Sequence, residues 1–279
     1  MTVTIIGVGL IGGSLALALK DNGLAGKVIG VESNNHHAQR ALELGLVDEI
    51  KTLTEAISSS QLVVLAIPVT QVMQALPSVL DHVTNQVVMD VGSTKEGVIA
   101  AVTNHKNRSR FVATHPMWGT EYSGPEAAQH QAFREKATVI CNREESDGEA
   151  VALVENLYRQ LGMHLLYMNA KDHDVHVAYI SHISHITSFA LANTVLEKEK
   201  EEDAIFELAS AGFASTVRLA KSNPATWTDV FRENRENVLD VLNEHISQLR
   251  KFKASLEKEN YEYLEELMTN ANKIKRILK

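Results

Sequence analysis

Residues 1–32 constrain the fold more than any other part of the chain. Thr2–Ile6 is a β-branched, apolar run of the kind that fills a strand buried on both faces. It breaks at Gly7-Val8-Gly9-Leu10-Ile11-Gly12, after which residues 14–20 read as a helix. Strand, glycine turn and helix in that order suit a dinucleotide. Gly7 makes the tight turn, Gly9 lets the main chain approach a pyrophosphate, and Gly12 brings the helix close to the strand. The helix start at Leu10 and Ile11 offers free N–H groups and a positive dipole end to phosphates. A second strand, Lys27–Val31, ends in Glu32, twenty residues beyond Gly12, where a carboxylate accepts hydrogen bonds from both adenosine ribose hydroxyls. No arginine follows to neutralise a 2′-phosphate, so the expected cofactor is NAD rather than NADP. The competing reading, a glycine turn that binds nothing, leaves the acidic strand end unexplained.

With 279 residues, 44% of them apolar, two domains are expected. Lys and Arg number 27 against 35 Asp and Glu, a net charge of −8 that argues against nucleic acid or an anionic membrane as partner. The single cysteine, Cys141, rules out an internal disulfide, suits a reducing compartment and reads as a small buried residue. No charged leader precedes the first strand and no apolar run approaches the ~20 residues of a membrane helix, so a cytoplasmic protein is expected.

Up to residue 169 strand and helix alternate. Strands are expected at 62–67, 87–91, 111–114, 137–141 and 164–168, with helices near 35–44, 71–80, 95–102 and 147–161. This is the order of a doubly wound, Rossmann-type parallel sheet, an α/β fold whose ligands bind beyond the carboxyl ends of the strands, where Pro68, Ser93 and His115 fall. From Asn169 the strands stop. Helices are expected over 172–199, 202–221 and 227–249, with a charged last stretch over 251–279. The expected division is therefore 1–169 for the dinucleotide and 170–279 for an all-helical domain whose apolar surface pairs with a second copy in a homodimer.

Four places can carry chemistry. His115, at a strand end and fixed by Pro116 and Gly119, is the candidate general base, because imidazole with a pKa near ~6.5 accepts protons at neutral pH. Ser93 either bonds a substrate hydroxyl, orients His115 or caps the helix that follows, and Lys95 reads as solvated. His182 and His185, three apart on one helix, lack the further ligands a metal needs. Contact with an anionic ligand fits better, beside the plain alternative of satisfied core histidines. Arg218, among small and apolar neighbours, is either a carboxylate clamp or half of an internal ion pair, and Trp227 either walls the pocket or packs.

Taken together, GVGLIGGS, DVGSTK at Asp90, THPMWGTE at Thr114, SHISH at Ser181 and AGFASTVRLAKSNPATWTDVF from Ala211 resemble the prephenate/arogenate dehydrogenase family of tyrosine biosynthesis, over residues 2–249. The resemblance implies a nucleotide-binding domain followed by a helical dimerisation domain. It implies that His115 takes the proton of the ring C4 hydroxyl and Ser93 bonds that hydroxyl. Arg218 and His185 then bind the substrate, prephenate or arogenate, and Thr120 and Glu121 line the entrance. The chain departs from the pattern at Ser215, where some members are acidic. Two other functions compete: a dehydrogenase of small hydroxy acids, which leaves THPMWGTE and SHISH unexplained, and a non-catalytic NAD-binding dimeric sensor, which leaves Ser93, His115 and Arg218 unexplained.

Overall fold

The structure of the protein, a computed structural model, describes residues 1–199 and 206–277. Strands β1 (Thr2–Ile6), β2 (Lys27–Val31), β3 (Glu49–Ile50), β4 (Leu62–Leu65), β5 (Val87–Asp90), β6 (Phe111–Pro116), β7 (Ala137–Cys141) and β8 (His164–Met168) form one sheet in the order β3-β2-β1-β4-β5-β6-β7-β8. Helices α1 (Leu10–Asp21), α2 (Asn35–Glu43), α3 (Leu53–Ser58), α4 (Val69–Asp81), α5 (Glu96–Ala100) and α6 (Gly148–Gln160) connect them. Side chains of a strand alternate between its faces, and here both faces are covered. Leu62 and Val64 of β4 enter one apolar cluster, while Val63 and Leu65 enter the other.

Neighbouring strands run parallel except β6 and β7. A parallel pair needs a crossover, usually helical. Between β6 and β7 the chain makes only a short 3₁₀ turn, Pro125–Ala127, and β7 returns antiparallel. The sheet is therefore mostly, not wholly, parallel. Two elements escape the sequence pattern. β3 is only two residues long, too short for periodicity, and α3 is a single short helix begun by a Thr52/Glu55 capping box. Cys141 is fully buried on β7, where burial pushes its thiol up to about 12 and leaves it inert near neutral pH.

After β8, Asn169 accepts from the Asp172 N–H at 2.8 Å and starts α7 (Ala170–Val177). A π turn, Ala178–His182, leads into α8 (Ile183–Glu199). The helix expected over 202–221 falls partly outside the described residues. The remainder is a 3₁₀ turn at Phe206–Leu208, α9 (Ala211–Thr216) and a second 3₁₀ turn, Arg218–Lys221. The helix expected over 227–249 is interrupted: α10 (Pro224–Glu233) ends at Asn234, and α11 (Arg235–Glu257) and α12 (Tyr261–Ala271) follow. Asn234 is buried because its amide donates to the Asp174 carbonyl at 2.7 Å and to His182 Nδ1 at 3.1 Å, tertiary bonds that a local pattern does not announce. Met1–Asn234 forms one compact unit, and a second begins at Arg235. Residues 170–234 thus belong to the same unit as the sheet. No described helix is long and apolar enough to cross a membrane.

Candidate active site

The glycine turn follows β1, and each glycine has a distinct environment. Gly7 takes φ +90°, and a Cβ there would lie 2.7 Å from the Ala66 carbonyl oxygen. A Cβ on Gly12 would lie 2.0 Å from the Gly7 carbonyl, so helix and turn touch through main chain alone. At Gly9 a Cβ would meet nothing within 4 Å, which leaves the space a pyrophosphate needs. Helix α1 begins beyond Gly9 without a side-chain cap or a first-turn acid, so among the described residues no side chain caps the N–H groups at Leu10 and Ile11. Glu32 accepts from the Val8 N–H at 3.1 Å and the Asn34 N–H at 3.0 Å, tying the end of β2 to the turn. Open turn, uncapped helix and strand-end carboxylate fit the pyrophosphate and ribose of a dinucleotide.

His115 stands half-buried near the end of β6. Its Nδ1 lies 2.9 Å from His173 Nε2, and His173 Nδ1 lies 2.7 Å from Asp174 Oδ1. Asp174 in turn accepts from the N–H groups of Lys95 and Glu96, each at 2.8 Å. Helix α5 starts at Glu96, and this carboxylate from α7 serves its first turn, so the capping role considered for Ser93 is filled by Asp174. Lys95 is not solvated. It is fully buried and its ammonium pairs with Asp90, which also accepts from the Gly92 and Thr114 N–H groups. Desolvation lowers the His115 pKa well below its ordinary value, and His173, Lys95 and His182 add to the shift. His115 is therefore a neutral imidazole near pH 7. Ser93 lies half-buried on the loop between β5 and α5.

The two SHISH histidines have separate fates. His182 is buried, bonded to Asn234 and held by burial at about 4. It is the satisfied core histidine. His185 is half-buried and stacks on Trp227 with ring centroids 3.3 Å apart, while its Nδ1 faces the Ser181 carbonyl at 3.0 Å. Burial lowers its pKa, and Arg218 acts in the same direction. Arg218 donates to Glu121 at 3.0 Å, so two residues singled out separately form an ion pair. The Glu121 amide and the Arg218 guanidinium hold that carboxyl below the ordinary range. Thr120 Oγ1 accepts from the Tyr122 N–H at 3.3 Å in the same loop. His173, Asp174 and Asn234 are the site residues that sequence reasoning missed. The only local signal was an acid beside a histidine in the first turns of α7.

A glycine-turn sheet with a neutral histidine at its carboxyl edge defines a dehydrogenase of the dinucleotide-binding class. Residues 15–167 match the family description "prephenate dehydrogenase, nucleotide-binding domain", and residues 169–270 match "prephenate dehydrogenase, dimerization domain". The chain belongs to the prephenate dehydrogenase family. It is 31% identical to the prephenate dehydrogenase of Bacillus subtilis over 94% of this chain and 72% of that one. It resembles the crystal structure of Aquifex aeolicus prephenate dehydrogenase in complex with hydroxyphenyl propionate and NAD+, with TM-score 0.87, 30% identity and coverage of 99% and 97% of the two chains. It resembles Synechocystis arogenate dehydrogenase with TM-score 0.79, 27% identity and full coverage, 100% of each chain. Its activity is that of an oxidoreductase.

Proposed function

We propose that the protein is an NAD-dependent prephenate dehydrogenase that converts prephenate to 4-hydroxyphenylpyruvate and CO2 in tyrosine biosynthesis. The observation that carries this reading is His115, a strand-end histidine kept neutral by its surroundings and so able to accept a proton. In this reading it takes the proton of the ring C4 hydroxyl while Ser93 bonds the same oxygen. Arg218 binds the substrate carboxylate and His185 also contacts the substrate, with Thr120, Glu121 and Trp227 lining the pocket. Gly7, Gly9, Leu10, Ile11, Gly12 and Glu32 hold NAD, which when bound supplies the hydride acceptor. Loss of the ring carboxylate aromatises the ring, so the protein has mainly to orient the substrate and hold one proton.

The functional division is 1–169 for cofactor and 170–279 for substrate and homodimer contacts. Exposed Ile180 and Leu208 are apolar surface available to a second copy. A cytoplasmic location suits one buried, unpaired cysteine. Arogenate is the second reading, supported by the likeness to the Synechocystis enzyme. Steady-state assays with prephenate and arogenate, each with NAD and NADP, test both. The expected best pair is prephenate with NAD, and NADP should be several-fold poorer in kcat/KM because its 2′-phosphate meets Glu32. Turnover of neither substrate would overturn the assignment, and higher efficiency with arogenate would move it to the second reading.

A further inference from the structure

We propose that His173 and Asp174 are positioning residues, which hold His115 in the tautomer protonated at Nδ1 and so leave Nε2 as the nitrogen that accepts the substrate proton. The inference rests on the reading of His115 as the base. It follows from the direction each hydrogen bond must take. An ionised carboxylate only accepts, and both Asp174 oxygens already take main-chain N–H groups, from Lys95 and Glu96. His173 Nδ1, 2.7 Å from Oδ1, is therefore the donor. In a neutral ring the other nitrogen then carries the lone pair, so His173 Nε2 accepts across its 2.9 Å contact and His115 Nδ1 donates. The proton of neutral His115 is thereby placed on Nδ1.

A second proton on His173 would reverse the last bond and move the His115 proton to Nε2, removing the base. When His115 accepts the hydroxyl proton at Nε2, its Nδ1–H still points to His173, and the new charge is shared toward Asp174. His173 is buried, so a simple packing role is the rival explanation.

Two side chains separate the two roles. In His173→Asn the amide reaches the place of Nδ1, where it keeps the Asp174 bond and leaves His115 without an acceptor. In His173→Gln the amide oxygen reaches the place of Nε2 and accepts from His115. We expect kcat to fall in the Asn variant by at least about tenfold, the lower end for groups that orient a reacting side chain, with KM for prephenate little changed. The Gln variant should recover most of that loss. Nitrogen-15 NMR of the unmutated protein near neutral pH should show His115 protonated at Nδ1, a measurement that does not depend on any variant folding. An Asn variant with unchanged kcat, a Gln variant no better than Asn, or a His115 protonated at Nε2 would each overturn the proposal. Activity retained in His115→Asn would instead remove the base reading and leave the tautomer result standing.

Discussion

Arg218 donates to the carboxylate of Glu121 across 97 residues of sequence, joining the 3₁₀ turn after α9 to the loop after β6. The guanidinium side chain stays 51% exposed, whereas Glu121 is only 13% exposed, so the arginine retains a solvent-facing side beside a carboxylate that is already engaged. Glu121 thus holds Arg218 in place and competes with any substrate carboxylate for its donors.

Arg218→Ala should raise KM for prephenate by about 10- to 100-fold, the worth of ~1.5–3 kcal/mol for a hydrogen bond to a charged group, with little effect on kcat. NAD binding and thermal midpoint should stay close to those of the unmutated protein, because a half-exposed ion pair contributes little to folding. A lowered midpoint with KM intact would mean that the pair is structural. Steady-state kinetics and a thermal melt on the same preparation decide between them.

Gly9 and Gly12 should fail in opposite ways. Gly9→Ala adds a methyl group to open space, so the protein should fold normally while NAD no longer raises its melting temperature. Gly12→Ala drives a methyl into the Gly7 carbonyl and should lower stability by about 1–3 kcal/mol or more, with reduced soluble yield. A Gly9→Ala protein that is still stabilised by NAD would show that the pyrophosphate does not lie there.

Much of this architecture is readable locally. The β1, glycine turn, α1 and β2 unit is contained within residues 1–32 and each residue type answers to a neighbour in sequence. Both-face burial of β4 follows equally from its unbroken apolar run. What the pattern hides is whatever a distant segment decides. Lys95 looks like any solvated lysine until its ammonium and the Gly92 and Thr114 N–H groups are seen to share the Asp90 carboxylate. The antiparallel return of β7 depends on a missing crossover helix, and the break at Asn234 depends on Asp174, 60 residues earlier. His173 meets His115 over 58 residues, a contact that no helical periodicity signals.

Acid should destabilise the fold through His182. Unfolded, this ring binds a proton below about 6.5; folded, buried against Asn234, it does so only below about 4. Between those values the unfolded chain holds more protons, so stability falls as pH drops through the window and this loss is complete below it. The shift corresponds to on the order of 3 kcal/mol from this one residue. Urea unfolding at several pH values should show the slope, and His182→Asn should flatten it despite a lower stability near neutrality. An unchanged slope would assign the pH dependence to other groups.

His115 sets the pH dependence of the reaction in the same direction for a different reason. Only the neutral ring has a lone pair for the hydroxyl proton, and the ring is neutral above its pKa. Burial, followed by His173, Lys95 and His182, holds that pKa well below the ordinary value of 6.5. The acid limb of kcat/KM, which reports the free enzyme, should therefore lie well below pH 6.5, with activity flat through neutrality. His115→Asn keeps part of the side chain's size and hydrogen bonding but cannot take the proton, so kcat should fall by roughly 10²–10⁴. Its fold and NAD binding should survive, and the acid limb should vanish or change shape. If the variant keeps near-normal kcat, or the same limb, the proton goes elsewhere even though the family assignment holds.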